Sequence, residues 1–240
     1  MVATSEVSLT VGGSPMDLLI AMPDGTGPHP AVLVAHHRGG VDEFTRDVAA
    51  RFASIGLVAA VPNFYHRRPR SEDPVAAMKT LRDGDLVADM NATVDRLRKM
   101  DSVREDAIGI VGHCLGGRTA YLGLVTNPIY KCAVLLYHGN IFESRGDGMP
   151  APIERTRNIH CPIIGFFGKE DTNPSPAAVA RLAEALDRHK IRYEFHSYDG
   201  AGHAFQDFTS KTQYREAATK NAWEKMLAFL RRELFPQAPA

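Results

Sequence analysis

Three residues of different chemistry fall at comparable places in the chain: a cysteine in GHCLGG (112–117), an aspartate in KEDTNP (169–174) and a histidine in GAGHAF (200–205). Each follows a short apolar, strand-like run. Together they are the parts of a nucleophilic acyl transfer. A thiolate at Cys114 attacks a carbonyl, an imidazole at His203 moves protons, and a carboxylate at Asp171 fixes the tautomer of that imidazole. The pattern G-x-C-x-G lies between the run AIGIV and the helical stretch GGRTAYLGLV, which is the setting of a nucleophile elbow. Glycines two before and two after the central residue let neighbouring backbone close in on a sharp turn. A buried structural cysteine beside a tight strand–helix packing is the competing reading. The chain order nucleophile, acid, histidine favours the elbow, because it is the order found in α/β-hydrolases.

An oxyanion needs donors. The backbone N–H of Leu115, next after the nucleophile and at a helix start, is one candidate. The loop AHHRGG (35–40), after the run PAVLVAH, is the candidate for the second, through the backbone of Arg38 with its side chain turned to water.

The elements that must position these groups are legible as alternating periods. VSLTV (7–11) and DLLIAMP (17–23) predict an opening hairpin. PAVLVAH (30–36), LVAAVPN (57–63), AIGIVGH (107–113), KCAVLLYHG (131–139), PIIGFFG (162–168) and YEFHSYD (193–199) predict further strands, several of them continuous apolar runs covered on both faces. Helical spacing appears near 44–55, over 74–100 with a break at Gly84, at Val179, Leu182, Ala183 and Leu186, and near 212–234. The alternation predicts an α/β fold, a mostly parallel sheet with helices on both faces, over one domain spanning 1–240 and without a large lid. Residues 140–160 are polar and irregular, a loop rather than a second domain, and the tail PQAPA is expected to fray. Ligands in such sheets bind beyond the carboxyl ends of the strands, where the candidate residues fall.

The totals exclude other classes. With 28 Lys plus Arg against 28 Asp plus Glu among 240 residues, no global field favours nucleic acid or an anionic membrane. No apolar run reaches membrane-spanning length and the amino terminus lacks a signal-peptide pattern, so a cytoplasmic protein is expected. Three widely spaced cysteines make no disulfide framework and no C-x-x-C zinc motif. Cys132 and Cys161, at strand starts, read as inert. A metal site at His36, His37 and His138 lacks a carboxylate partner, so no metal or cofactor is expected.

The elbow GHCLGG, together with FFGKEDTNPSP, GAGHAF and PNFYHR, resembles the dienelactone hydrolase family, the cysteine branch of the α/β-hydrolases, over about residues 15–234. The resemblance implies a monomeric, cofactor-free hydrolase of enol lactones or related activated esters, working through a Cys-His-Asp triad and an acyl-thioester. A binding or redox-sensing protein that uses Cys114 without turnover is the alternative. The resemblance also exposes departures. Where the family carries a glutamate that pairs with the thiol, this chain has His37, which either modulates the thiol or only hydrogen-bonds the loop. Of two family arginines that hold a substrate carboxylate, one matches Arg67; the other position is Asp207, which would repel an anion. Arg67, Arg68 and Arg70 could equally form a solvated loop. Residues 66–84 are shorter and more polar than the aromatic segment that family members place beside the pocket. Tyr65, Phe64, Tyr137 and His138 are candidate pocket residues by their strand-end positions.

Overall fold

The computed structural model describes residues 2–69, 72–146 and 148–235. Arg70 and the tail 236–240, both read from the sequence above, lie outside them. The strands are β1 (Ala3–Val11), β2 (Ser14–Met22), β3 (His29–Ala35), β4 (Val58–Pro62), β5 (Val103–His113), β6 (Ala133–Leu136), β7 (Ile163–Gly168) and β8 (Tyr193–Tyr198). They form one sheet in the order β1-β2-β4-β3-β5-β6-β7-β8. β1 and β2 pair antiparallel with each other, β2 pairs antiparallel with β4, and every other pairing is parallel.

The helices are α1 (Glu43–Ser54), α2 (Pro74–Lys79), α3 (Asp83–Arg98), α4 (Leu115–Thr126), α5 (Pro176–Arg188) and α6 (Glu216–Leu234). Two apolar clusters, one on each face, bury the sheet. One gathers Leu33, Ile110 and Leu135 with Leu86, Met90 and Leu122. The other gathers Val34, Val111 and Val134 with Val48, Phe52, Met226 and Leu230. This two-sided burial is why β3 to β7 read as unbroken apolar runs.

Some boundaries differ from the sequence reading. β1 begins at Ala3 because a sheet-edge strand, here mostly exposed, needs no apolar residues at its outer end. β5 begins at Val103, its polar Arg104–Asp106 stretch projecting past the core. The helical break falls at 80–82, where Leu81 turns inward, and not at Gly84, which sits in the first turn of α3. The 140–160 segment contains a 3₁₀ turn at Pro152–Asn158. Among the described residues no helix is long and apolar enough to cross a membrane.

The topology brings the candidate loops together. β3 and β5 are parallel neighbours, with Ala35 opposite Gly112, so the 35–40 loop emerges beside the end of β5. β6, β7 and β8 follow in order, which brings the loops carrying Asp171 and His203 out at the same edge.

Candidate active site

β5 ends at His113 and α4 begins at Leu115, leaving Cys114 as the single residue of the corner. Its backbone sits at φ 56°, ψ −117°, a conformation that side-chain-bearing residues rarely adopt. The flanking glycines explain how the corner closes. A Cβ at Gly112 would overlap the backbone of Gly116, and one at Gly116 would overlap the carbonyl of Ala35 on β3. The half-buried thiol therefore stands at the first turn of α4.

Four influences act on that thiol. Burial pushes it up. The imidazole of His203, followed by the backbone N–H groups of Leu115 and Arg38, outweighs burial and holds the thiol below its ordinary value. His203 responds in kind. Burial lowers its pKa, but Asp171 and Cys114 raise it to about 10. His203 Nδ1–H donates to Asp171 Oδ2 at 2.9 Å. The other Asp171 oxygen accepts the backbone N–H of Asn173 at 2.8 Å, so this buried carboxylate is held on both sides. The arrangement favours a thiolate–imidazolium pair over two neutral groups. The same two N–H groups that face the sulfur are placed to receive an oxyanion formed beside it.

Cys114 and His203 line two adjoining cavities. One, of about 260 Å³, is completed by Arg38, Met78, Leu115, Gly139, Arg145, Asp171, Thr172 and Asn173. The other, of about 310 Å³, is bordered by His37, Asp207, Thr209, Ser210 and Gln213.

Several other sequence candidates make their hydrogen bonds away from the thiol. His37 does so within its own loop, one of the two readings its position left open. Its Nε2–H donates to Asp42 Oδ2 at 2.7 Å, and its Nδ1 lies 4.0 Å from Asp207 Oδ2. Asp42 in turn caps α1 by accepting from Thr45 N, so His37 pins the loop that carries Arg38. Arg67 lines neither cavity that holds Cys114. Its guanidinium forks onto the fully buried Asp89, with both contacts at 2.9 Å, because a carboxylate with no exposure needs a cation at hand. Tyr65 also lies outside those two cavities. Its hydroxyl donates to the carbonyl of Arg38 at 2.9 Å, bracing the 35–40 loop from the outside. His138 is fully buried, donates from Nδ1 to the carbonyl of Gly139, and is held to a pKa of about 4 chiefly by burial. His138 itself does not line the cavity, while its chain neighbour Gly139 does.

Tyr137 is buried, its ring edge-on to His203 at 5.3 Å. His36 is a strut, with Nδ1–H donating to the carbonyl of His37 and Nε2 accepting from Phe64 N. Both its nitrogens are thus engaged, which removes it from the metal site considered above. Among the described residues no group of three or more His, Cys, Asp and Glu is placed to hold a metal ion. Sequence reasoning missed Met78, Thr172, Asn173 and above all Arg145. Arg145 is one of three arginines between β6 and β7, with Arg155 and Arg157, and no local pattern separates it from them.

Known proteins resemble this chain in sequence and in fold. The family model described as "Dienelactone hydrolase family" matches residues 16–234. A Bradyrhizobium protein named "Probable 2-oxo-3-(5-oxofuran-2-ylidene)propanoate lactonase" is 30% identical over 96% of this chain and 94% of its own length. A Synechocystis protein named as a carboxymethylenebutenolidase is 29% identical over 90% of this chain and 91% of its own. A crystal structure from Klebsiella pneumoniae, titled as a dienelactone hydrolase, superposes with a TM-score of 0.87 at 27% identity, covering 97% of this chain and 99% of that one. With the family model matched over nearly the full length and the fold in agreement, the chain belongs to the dienelactone hydrolase family.

Proposed function

We propose that this protein hydrolyses small lactones or activated carboxylic esters through Cys114, His203 and Asp171. The observation that carries the reading is the geometry of the corner: Cys114 stands at φ 56° just ahead of α4 and lines one cavity with His203 and Asp171, and the imidazole is held by Asp171 at 2.9 Å. A thiol drawn down and an imidazole drawn up accord with it. A cavity of about 260 Å³ suits a small substrate.

In the first step the Cys114 thiolate adds to the carbonyl carbon, and the C=O electron pair moves to oxygen, which the N–H groups of Leu115 and Arg38 receive. The tetrahedral species collapses by breaking the bond to the ester oxygen, and the His203 imidazolium supplies the proton that the leaving oxygen takes up. In a lactone this oxygen stays tethered to the acyl group. A thioester and a neutral imidazole result. His203 then removes a proton from water, the hydroxide adds to the thioester carbon, and the thiolate leaves. The carboxylic acid product gives up its proton, and the thiolate–imidazolium pair is restored. Asp171 keeps the His203 Nδ1 proton in place so that Nε2 is the shuttling atom.

The test is hydrolysis of 4-nitrophenyl acetate by wild type and Cys114→Ala, with intact-protein mass spectra of the quenched wild-type reaction. Many turnovers, lost in the variant, with an acetyl adduct on Cys114, are expected. A single stoichiometric burst without turnover would overturn the hydrolase reading in favour of a ligand-binding or oxidant-sensing thiol.

A further inference from the structure

A cavity of about 580 Å³ lies outside the one that holds Cys114 and shares Arg145 with it. Its wall is basic. Arg68, Lys79, Arg82, Arg118 and Arg145 border it, and among the described residues the one acid on the wall is Glu143. Two of the cations do not count toward a ligand. Arg118 is fully buried and closed onto both oxygens of Asp83, at 2.7 and 3.1 Å, and Arg82 has contacts of its own.

The other three arrive from separate elements. Arg68 comes from the loop after β4, Lys79 is the last residue of α2, and Arg145 comes from the loop after β6. Among the described residues none of the three is in an ion pair. Arg68 donates to the carbonyl of Thr80 at 3.2 Å, and Arg145 to the carbonyl of Met78 at 2.8 Å, so neutral acceptors fix both guanidinium groups and leave their charge unanswered. Arg68 also borders a separate cavity that Glu72 lines, without pairing with it. Burial, and then the like charge of Arg118, hold the Arg145 guanidinium below its usual value against the pull of Asp83. Asp83 instead clamps the Arg145 backbone: Arg145 N–H donates to Asp83 Oδ2, and Asp83 N–H to the Arg145 carbonyl, both at 2.9 Å.

Three cations on one wall suit a group with several equivalent oxygens and nearly two negative charges. A guanidinium pairs two oxygens of a phosphate in its plane, and an ammonium takes another as a point charge. The volume asks for more than a bare ion, since cavities of this size take small organic molecules. Thr80, Asn140 and Ser144 on the same wall offer neutral polar groups to the body of such a molecule.

We propose that this cavity binds a small organic phosphate, with the phosphate seated among Arg68, Lys79 and Arg145. The site does not depend on the hydrolase reading above. The phosphate belongs either to the ester that Cys114 attacks, its body passing Arg145 from one cavity to the other, or to a separate molecule.

The experiment is calorimetric titration of glucose 6-phosphate, gluconate and glucose at low salt, into wild type, Lys79→Gln and the double variant Arg68→Gln with Lys79→Gln. Glucose 6-phosphate is expected to bind wild type with a Kd of about 1 mM or below, and gluconate about tenfold more weakly or worse. Affinity for the phosphate should fall about threefold in Lys79→Gln and about tenfold or more in the double variant. Lys79 is exposed, so its single variant keeps the test open if the double variant does not fold. No heat from glucose 6-phosphate in wild type, equal binding of gluconate, or wild-type affinity in the folded variants overturns the proposal. Hydrolysis of 1-O-acetylglucose 6-phosphate against 1-O-acetylglucose then separates the two sources. A kcat/KM about tenfold higher for the phosphate, lost in the variants, supports the site with the phosphate on the substrate. Equal rates, with glucose 6-phosphate still bound, support it with the phosphate on a separate molecule. Failure of the hydrolase reading looks different: neither ester would be turned over, and glucose 6-phosphate would bind all the same.

Discussion

The two ends of the central sheet hold the same functional group in opposite states. At the carboxyl end, Cys114 is drawn below the ordinary thiol range. At the amino end, Cys132, just ahead of β6, is pushed well above it, and Cys161, just ahead of β7, is pushed up to about 12. Burial is the largest influence on all three and acts upward on each. Depth in the protein therefore does not separate them. The difference is what the fold delivers to the sulfur. The carboxyl end supplies an imidazole backed by a buried carboxylate and two backbone N–H groups. The amino end supplies apolar walls and the like charges of a second thiol and Glu233. Reactivity in this fold belongs to the end of the sheet where the loops converge and the helix N-termini point.

The largest test of that contrast exchanges the sulfurs. Cys114→Ala is expected to lower kcat/KM for 4-nitrophenyl acetate by about 10³-fold or more, the usual result of deleting a nucleophile whose partners cannot act without it. Cys132→Ala should leave the rate within about twofold while lowering stability by about 1 kcal/mol, read from the denaturant midpoint, because it removes a packed sulfur and nothing else. A large catalytic loss in Cys132→Ala would break the comparison.

The next test removes the backing carboxylate. Asp171→Asn keeps the shape but takes away the partner that raises His203. The imidazolium becomes less stable, so the pKa of His203 falls and that of the Cys114 thiol rises. A fall in kcat/KM of about 10²- to 10⁴-fold is expected. The same substitution should move the two limbs of the pH–rate profile toward each other. In wild type, activity should decline on the acid side as the thiolate takes a proton, below the ordinary thiol range. On the alkaline side it should decline as His203 loses its proton near pH 10. Iodoacetamide alkylation, which reads only the thiolate, should follow the acid limb for Cys114 and leave Cys132 and Cys161 unmodified until the protein unfolds. Alkylation of Cys114 only at the ordinary thiol pKa would remove the electrostatic difference between the two ends.

The contrast also marks what the sequence reveals. Strand runs, the glycine-flanked corner and the order of Cys114, Asp171 and His203 are legible because each is a local pattern with a local cause, apolar period or steric demand. The ends of β1 and β5 were not, because an exposed or overhanging strand carries no apolar signature. The pocket residues were the least legible. Arg67 and Arg145 are both arginines in polar loops. Only the three-dimensional arrangement shows that Asp89 neutralises the first, while Asp83, already occupied by Arg118, leaves the second facing the cavity. Tyr65 and His138 lie near the site by chain position, yet the Tyr65 hydroxyl and the His138 Nδ1 each bond to backbone. Which way a side chain turns depends on partners scores of residues away, and a one-dimensional pattern does not contain them.

The smallest expected effect concerns His37, which borders a cavity with Cys114 but hydrogen-bonds away from it. Its ring N–H joins the backbone N–H of Thr45 in holding the Asp42 carboxyl below its usual range against the upward push of burial. His37→Ala removes one charge-assisted hydrogen bond at a half-covered carboxylate, so a stability loss of about 1–2 kcal/mol is expected. The loop would keep its Asp42 cap on α1 and its Tyr65 brace on the Arg38 carbonyl. The Arg38 N–H should therefore drift rather than leave, and kcat should fall only a few-fold, well short of the about 10²-fold expected from deleting an oxyanion donor. The pH midpoint of Cys114 alkylation should stay where it is, since the thiol takes its shift from His203 and the two backbone N–H groups. A rise of about one pH unit or more in that midpoint would make His37 a further partner of the sulfur. The distinction between the two ends of the sheet would then need an imidazole on each side of Cys114, not one.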